Sequence, residues 1–393
     1  MTLLAHLLVE PDITLWGLSS RERLGRMLTR AGITGLVDDL GDVPADDAVL
    51  LIRADWLYDA RVLKGLIDSP CSVLTAGDDL AAVAANVPRA KAVETRGYLA
   101  GIAASALPDG LKTVDPNSIV SAGQTTLLKR EDPYVLSITR ANRGDLEKRL
   151  FDGSYKGITD LVTKWAWPTP ARWVTHVCAA AGISPNQVTG VSWLLALLTT
   201  YLFFQGHFAW GLVAGWIMTF LDTVDGKLAR VTVSYTQFGN LFDHILDLVH
   251  PPFWYLAWAV GLTHTGISMP GLSLNTTAWL VFGGYIFGRV AEGLFSGVIA
   301  NFSIFAWRPV DSYSRLVTAR RNPCLIMLTA GVLAGRPDAG LLAVVLWTLI
   351  STVFLWLRVG AAWNEKVKLG PLEPWISAGD ACKTSLAYRW FAR

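Results

Sequence analysis

The sequence is poor in charged residues. Only 17% of its 393 residues are Asp, Glu, Lys or Arg, whereas 52% are hydrophobic. This balance excludes an ordinary water-soluble enzyme and is typical of an integral membrane protein. The formal net charge is only +2, so neither sign is in large excess. We therefore expect no nucleic-acid partner.

Cysteine is also scarce. The four cysteines, Cys71, Cys178, Cys324 and Cys382, lie far apart and form no CxxC pair. This spacing excludes a disulfide framework and a zinc site of the usual kind. The first residues, MTLLAHLLVEPDITLWG, have a short apolar run with no basic region before it. We predict no signal peptide in this stretch.

Residues 1–150 have the pattern of a soluble α/β domain. Residues 48–52 form a short β-type run, and the stretches SSRERLGRMLTRAGI and DARVLKGLI have helical spacing. The stretches SPCSVLTAG and RAKAVETRGYLAGI are expected to supply further strands. Alternating strands and helices favour a sheet with helices on its faces.

The remaining sequence predicts a polytopic α-helical membrane domain. Residues 151–187 mix Lys, Arg and Trp with apolar residues, which indicates amphipathic helices at a membrane surface, broken by Pro168 and Pro170. An ordinary soluble linker helix is the alternative. Residues 188–365 contain six apolar segments of about the length that a bilayer requires, and residues 366–393 form a cytosolic tail. The six segments span approximately residues 188–205, 208–226, 240–263, 276–300, 322–335 and 338–362.

The charges in the loops predict one orientation. The loops near Gly206, at residues 265–275 and near Arg336 hold almost no Lys or Arg. The opposite side holds Arg230, Arg308, Arg315, Arg320, Arg321, Lys366 and Lys368. By the positive-inside rule, both termini are cytosolic, and so is the N-terminal domain. We expect the protein to lie in the cell inner membrane.

Four carboxylates lie where the second and third predicted spans face the cytosol. The stretch LDTVDGKLAR contains Asp222 and Asp225, and GNLFDHILD contains Asp243 and Asp247. Spacings of three and four residues place each pair on one face of its helix. The connection VTVSYTQF is short, so the two helices should pack antiparallel and bring the four carboxylates together.

This arrangement indicates a site for divalent cations. A charged residue inside a span costs roughly 2.5–3.5 kcal/mol on insertion scales, and four anions would also repel one another. Mg²⁺ or Mn²⁺ would relieve both costs, and two ions could clamp the oxygens of a phosphoryl displacement. Small residues at Gly226, Ala229 and Gly239 would admit a nucleotide, and Arg230 would face a diphosphate. The alternative is a set of solvated or paired carboxylates at helix ends.

At this point the sequence resembles a known family. The string DxxDGxxAR, eight residues, then GxxxDxxxD is similar to the signature of the CDP-alcohol phosphotransferases, also called phosphatidyltransferases. This chain matches every fixed position, and GISPNQVTG is similar to the family's PNxVT stretch. The resemblance covers roughly residues 150–365. It implies attack of a hydroxyl acceptor on the β-phosphate of a CDP-alcohol, for example CDP-diacylglycerol, with release of CMP. It also implies phospholipid biosynthesis and a homodimer.

The resemblance assigns roles to residues by their position in the motif. The implied metal ligands are Asp222, Asp225, Asp243 and Asp247, and Asp247 is also the implied base for the acceptor hydroxyl. The residues implied to line the CDP pocket are Gly226, Ala229, Arg230, Gly239, Asn186 and Thr189.

Three arginines are candidates for the acceptor site. Arg289 lies within the fourth predicted span, where an ionisable residue suggests a function, although an ion pair with Glu292 is an equal alternative. Arg320 and Arg321 lie at the cytosolic edge and are expected either to hold a phosphate of the acceptor or to follow the positive-inside rule.

The N-terminal part faintly resembles sugar-phosphate nucleotidyltransferases, which some family members carry as a fused domain. The first residues lack the glycine-rich basic loop of those enzymes, and Asp55 is the one candidate metal ligand. We therefore predict a degenerate domain. Three alternatives for the whole chain stay open. These are a bifunctional enzyme that makes a soluble inositol-type phosphodiester, a cation transporter whose aspartates bind ions in transit, and an inactive scaffold.

Overall fold

The computed structural model describes residues 3–33, 35–77, 79–101, 107–120, 123–124, 128–235, 237–269, 271–377 and 384–392. Within these ranges, the side chains of residues 123–124, 237–247 and 392 are not described. The chain divides into two compact units. Unit 1 comprises Met1–Gly123, Glu131–Ser154 and Arg230–Ser234, and unit 2 comprises Gln124–Arg130, Tyr155–Ala229 and Tyr235–Arg393.

Unit 1 is built on a mixed five-stranded sheet with the order β1-β2-β5-β4-β6. Strands β1 and β2 run parallel, as do β4 and β6, while β5 runs antiparallel to both of its neighbours. A second, antiparallel pair joins β3 to β9. The strands of the whole chain are β1 Leu3–Leu8, β2 Ala48–Arg53, β3 Trp56–Tyr58, β4 Ser72–Ala76, β5 Ala81–Pro88, β6 Lys112–Val114, β7 Gly123–Gln124, β8 Lys129–Arg130 and β9 Val135–Ser137. Of these, β8 belongs to unit 2, and β7 is divided between the two units.

The helices of unit 1 cover both faces of the sheet. The apolar side chains of β2 divide between two cores, because successive residues of a strand point to opposite faces. Ser19 caps the first helix with a capping box to Glu22, and Asp59 caps the second. The helices are α1 Ser20–Arg30, α2 Ala60–Ile67, α3 Arg89–Leu99, α4 Pro116–Ile119 and α5 Arg143–Gly153. The predicted α/β class of this region is confirmed.

One secondary-structure prediction in unit 1 is wrong. The stretch RAKAVETRGYLAGI was expected to supply a strand, but residues Arg89–Leu99 form helix α3. Ala, Lys, Glu and Arg dominate this stretch, and these residues have high helix propensity. The neighbouring strand is instead β5, Ala81–Pro88, an alanine- and valine-rich run that the sequence analysis did not identify.

Asp55, the candidate metal ligand of unit 1, is held by an arginine. Nε of Arg53 lies 3.1 Å from Oδ1 of Asp55, and Nη2 lies 2.7 Å from Oδ2. Such a bidentate pair satisfies both carboxylate oxygens. The pairing gives no support to a metal-binding role for this residue.

Unit 2 is helical. Helices α7 to α10, α12 and α13 correspond to the six apolar segments of the sequence, and α6 and α11 are amphipathic. Pro168 begins α6 instead of breaking it, which fits the preference of proline for the first turn of a helix. The bounds are α6 Pro168–Ala180, α7 Pro185–Phe204, α8 Phe208–Val231, α9 Gln237–His264, α10 Leu274–Leu294, α11 Pro309–Val317, α12 Arg321–Leu333 and α13 Pro337–Leu369.

Two of these helices are long and apolar enough to cross a membrane. Among the residues described, they are α7 and α13, whose best 18-residue windows have mean hydropathies of 1.4 and 2.2. Helix α12 is apolar but only 13 residues long. A helical C-terminal region is therefore confirmed, whereas six membrane-spanning helices are not.

The core of unit 2 contains large aromatic side chains and very close helix contacts. Trp254 and Trp258 of α9 are almost fully buried, and Phe203 of α7 packs edge-on against both. Helices α12 and α13 approach most closely at Gly331 and Gly340, where a Cβ on Gly331 would lie 2.6 Å from the Cα of Gly340. Only glycine permits this distance between two backbones.

We expect Gly331→Ala to lower the melting temperature of the protein. The added methyl group would meet the Gly340 backbone and also the Arg336 carbonyl oxygen at 2.9 Å. Overpacking of this kind typically costs about 1–3 kcal/mol. Thermal denaturation of the detergent-solubilised protein measures the change. Gly360→Ala in α13 is the matched control, because its Cβ would meet no described atom within 4 Å. An unchanged melting temperature for Gly331→Ala would contradict the close contact.

Candidate functional site

The first half of the carboxylate motif lies in the last turns of α8. Asp222 and Asp225 are three residues apart on this helix, with side chains that are largely buried. Asp225 is only 4% exposed. Gly226 and Ala229 follow on the same face, and Ala229 is 9% exposed. The small side chains therefore lie next to the buried carboxylates.

Helix α7 supplies a hydrogen-bond donor to this carboxylate pair. The Thr189 hydroxyl lies 2.6 Å from Oδ2 of Asp225. Thr189 itself is only 7% exposed. Pro185 at the first position and a capping box between Ser184 and Gln187 fix the start of α7. Asn186 lies in that first turn and is exposed. Of the two pocket residues predicted on α7, Thr189 contacts the motif.

An arginine from α12 pairs with the other carboxylate. Nη2 of Arg321 forms an ion pair with Oδ2 of Asp222, and the two side chains are 14% and 11% exposed. Arg321, one of the candidates for the acceptor site, thus contacts the aspartate pair. Arg230 is partly buried at the end of the motif.

The second half of the motif lies in α9. Gly239, Asp243 and Asp247 are in the first turns of this helix, but their side chains lie outside the described residues. Among the side chains that are described, no group of three His, Cys, Asp or Glu residues is placed to hold a metal ion. Two of the four predicted ligands do not belong to that set, so the metal-site prediction stays a prediction.

A second charged cluster links α10 to the start of α12. Glu292 forms a bidentate pair with Arg289, with Nη1–Oε2 and Nη2–Oε1 distances of 3.0 and 2.6 Å. Arg320 also pairs with Oε2 of Glu292. The ion-pair alternative for Arg289 is therefore realised, and the same glutamate brings Arg289 and Arg320 together.

Arg315 of α11 extends this cluster. Its guanidinium carbon lies 5.5 Å from the centroid of Phe305, and that of Arg320 lies 5.6 Å from the same ring. Burial lowers the pKa of Arg315 to about 10, and the charge of Arg320 acts in the same direction. Its Nη1 is buried and has no hydrogen-bond partner in the part of the chain that the structure describes.

Asp160 faces the cluster from the segment before α6. Its carboxylate accepts hydrogen bonds from the backbone of Thr163 at 3.0 Å and from Nδ2 of Asn322 at 3.0 Å. Burial raises the pKa of Asp160, but nearby Arg315 and these hydrogen bonds outweigh burial, so the pKa lies below its ordinary value. Three arginines, Arg289, Arg315 and Arg320, thus face two carboxylates, Glu292 and Asp160, which leaves one positive charge in excess.

Sequence reasoning missed Asp160 and used Arg315 only as a marker of orientation. Both residues lie in segments that carry no motif, far in sequence from Arg289. The only available signal was a run of arginines, at positions 308, 315, 320 and 321, before the fifth apolar segment. That run of arginines does not reveal which of their side chains are buried.

Comparison with known proteins finds a family match for the region that carries the aspartate motif and the three clustered arginines. Residues 182–364 match the family model described as CDP-alcohol phosphatidyltransferase. This region contains α7 to α12 and most of α13, and therefore the whole aspartate motif, whereas Asp160 precedes it.

Two relatives match shorter segments of the chain. An archaetidylinositol phosphate synthase from Pyrococcus horikoshii is 35% identical over 79 residues, which is 20% of this chain and 42% of that protein. A phosphatidylinositol phosphate synthase from Mycobacteroides abscessus is 38% identical over 72 residues, or 18% of this chain and 32% of that protein. The matched segments thus span less than half the length of either relative.

Proposed function

We propose that this chain transfers the phospho-alcohol group of a CDP-alcohol to a hydroxyl acceptor and releases CMP. Its residues 182–364 belong to the CDP-alcohol phosphatidyltransferase family. One observation carries the proposal. Asp222 and Asp225 are buried side by side, each engaged by a polar side chain from another helix, within a string that matches the family signature at every fixed position. Carboxylates are costly to bury without such a purpose.

The donor set fits a divalent cation. Asp222 and Asp225 offer hard carboxylate oxygens, which Mg²⁺ and Mn²⁺ prefer. With Asp243 and Asp247 from α9, four such groups would hold two ions. Bound ions would neutralise the charge that develops on the transferred phosphate.

The remaining residues of the motif would bind and orient the substrates. Gly226, Ala229 and Gly239 present little side-chain bulk, so the cytidine diphosphate can approach the helix backbones. Arg230 would donate hydrogen bonds to the diphosphate. Thr189 would keep Asp225 in place, and Asn186 would contact the nucleotide at the exposed start of α7.

We propose that Asp247 takes the proton from the acceptor hydroxyl. A base for this step has to be ionised and within hydrogen-bond reach of the hydroxyl, and a neighbouring cation keeps a carboxylate ionised. The oxygen of the acceptor then bonds to the β-phosphorus while the bond to CMP breaks.

The arginine cluster supports an acceptor that itself carries a phosphate. Arg289, Arg315 and Arg320 exceed their two carboxylate partners by one charge, and Arg315 has a buried nitrogen to spare. Guanidinium groups bind phosphate through paired hydrogen bonds. Both relatives are named as synthases of a phosphorylated inositol lipid. We propose a phosphorylated polyol of the inositol phosphate class as the acceptor.

We also propose that unit 2 lies in the inner membrane of the cell and that the protein forms a homodimer. The aspartate motif and both termini would face the cytosol. The apolar helices α7 and α13 and the loop charges support this placement. The product would then enter phospholipid biosynthesis. Unit 1 would be a cytosolic domain without nucleotidyl transfer, because the one candidate carboxylate, Asp55, is paired with Arg53.

The test is release of CMP by the purified full-length chain. We expect CDP-diacylglycerol and inositol phosphate to yield CMP with Mg²⁺ or Mn²⁺, and no CMP when EDTA replaces the metal or when the acceptor is left out. A cation transporter would release no CMP under any of these conditions. A bifunctional enzyme would in addition release pyrophosphate from CTP and inositol phosphate. Absence of CMP with every alcohol and acceptor tried would contradict the proposed function.

A further inference from the structure

The segment that follows the first half of the aspartate motif belongs to unit 1. Residues Arg230–Ser234 group with the N-terminal part of the chain in the described contacts. In sequence, this segment opens the connection between α8, which carries Asp222 and Asp225, and α9, which carries Asp243 and Asp247. The connection therefore has structural partners from a part of the chain some 200 positions earlier.

Two arginines of α1 hold the backbone of this segment. Nη2 of Arg23 donates to the Val231 carbonyl oxygen at 2.8 Å and also to the Leu15 carbonyl oxygen at 2.9 Å. Nη1 of Arg26 donates to the Thr232 carbonyl oxygen at 2.7 Å. Arg23 is only 4% exposed, whereas the Arg26 contact is at the surface. Both bonds are charge-assisted, and bonds of this kind are stronger than those between neutral groups.

The residue after these two carbonyls has an unfavourable backbone conformation. Val233 has φ = 50°, in the left-handed region. For a β-branched residue this region is a genuine outlier, and it persists only where surrounding contacts impose it. The Thr232 and Ser234 hydroxyls are 2.7 Å apart across the turn, and the Val233 amide donates to the Arg230 carbonyl at 3.3 Å. The turn is thus imposed by contacts, since its sequence does not favour it.

We propose that Arg23 and Arg26 are positioning residues for the transfer reaction, and that they act by holding the Val231–Ser234 turn between the two halves of the aspartate motif. The inference rests on the proposed function, because it concerns the same site. The four aspartates come from two helices, and the connection limits how those helices can move along and about each other. If the φ of Val233 relaxed to a negative value, the path of the connection between α8 and α9 would change, while every proposed metal ligand would stay the same.

The chosen test uses Arg26, because its contact is exposed and its loss leaves the buried Arg23 in place. We expect Arg26→Ala to lower kcat for CMP release about three- to ten-fold, with little change in KM for the CDP-alcohol. This is the range of an ordinary hydrogen bond, because water screens the exposed Arg26 contact. Backbone amides of residues 232–235 should exchange with deuterium faster in this variant. The kcat of Arg26→Lys, which keeps a charged donor group without the planar guanidinium, should lie between those of Arg26→Ala and the wild type.

A second substitution tests the role of the turn itself. Asparagine enters the left-handed region more readily than valine does, so Val233→Asn should hold the turn without outside help. In the Arg26→Ala background we expect Val233→Asn to recover most of the lost kcat. A loss of kcat that arises from general unfolding would not be recovered in this way.

Arg21→Ala is the matched control on the same helix. Arg21 pairs with Glu10 and Asp38 at the surface, and such pairs contribute little to stability. We expect Arg21→Ala to have the kcat of the wild type and the same rate of deuterium exchange at the backbone amides of residues 232–235. If the wild type releases CMP and Arg26→Ala matches it in both kcat and exchange, the positioning role is wrong while the proposed function stands. If the wild type releases no CMP from any substrate pair, the proposed function fails and the positioning role fails with it.

Discussion

Asp225→Asn is expected to lower the rate of CMP release by about 10³-fold, since metal charge typically contributes several kcal/mol to the stabilisation of a phosphoryl transition state. Asparagine has almost the same size as aspartate and keeps an oxygen that accepts the Thr189 hydroxyl hydrogen bond. The packing around this buried position should therefore persist. What is lost is the negative charge, and with it one ligand for a cation.

The measurement is turnover across a series of Mg²⁺ and Mn²⁺ concentrations, beside the melting temperature of each variant. Asp338→Asn is the control, because Asp338 is also buried, at 5% exposure, but pairs with Arg336 at the start of α13. It should keep wild-type turnover. Asp243→Asn and Asp247→Asn enter the same series. Full turnover in Asp225→Asn, Asp243→Asn or Asp247→Asn would show that the proposed mechanism is wrong.

Arg315→Met should weaken binding of a phosphorylated acceptor, raising its KM about 10- to 100-fold, as expected for the loss of hydrogen bonds to a charged group. Methionine fills most of the aliphatic volume of arginine and removes the buried guanidinium that lies over Phe305. The KM for the CDP-alcohol should not change, because the neighbours of Arg315 among the described side chains are Phe305 and the second charged cluster.

Steady-state kinetics with inositol phosphate and with free inositol distinguish a loss of phosphate binding from a general loss of acceptor binding. The effect should appear only with the phosphorylated acceptor. Arg336→Met is the control, since the Arg336 side chain is 62% exposed and pairs with Asp338 at the start of α13. An equal rise in KM for both acceptors would contradict a phosphate-binding role for Arg315.

The motif and the helices of unit 2 were predictable because each depends on short-range sequence patterns. Asp222 and Asp225 lie three residues apart, so a helix places them on one face whatever surrounds it. The PNQVT stretch likewise marks a helix start with a capping residue before it and a proline at its first position. Apolar runs of sufficient length predicted the six helices, although not which of them are apolar enough to cross a bilayer.

The partners of these residues were not predictable, because they come from distant parts of the chain. Nothing in the sequence shows that Arg321 faces Asp222 while its neighbour Arg320 faces Glu292. Two adjacent residues at a helix start point in different directions, and their targets depend on how α8, α10 and α12 pack. The helical stretch at Arg89–Leu99 was missed for a different reason. The helix propensity of its Ala, Lys, Glu and Arg residues decides its structure, and the alternation of strands and helices does not.

The short length of α12 sets how deep the arginines lie in the proposed bilayer. Thirteen residues make a helix of about 20 Å, whereas the hydrocarbon core is about 30 Å thick. The Gly331–Gly340 contact holds the far end of α12 against the start of α13. If that end lies at one face of the proposed bilayer, Arg320 and Arg321 at the near end would lie below the opposite face. In that placement, a water-soluble acceptor would have to enter the bilayer region to reach these arginines, while the lipid chains of a CDP-alcohol would arrive at the same depth from the side. The two substrates would approach the metal site by perpendicular routes.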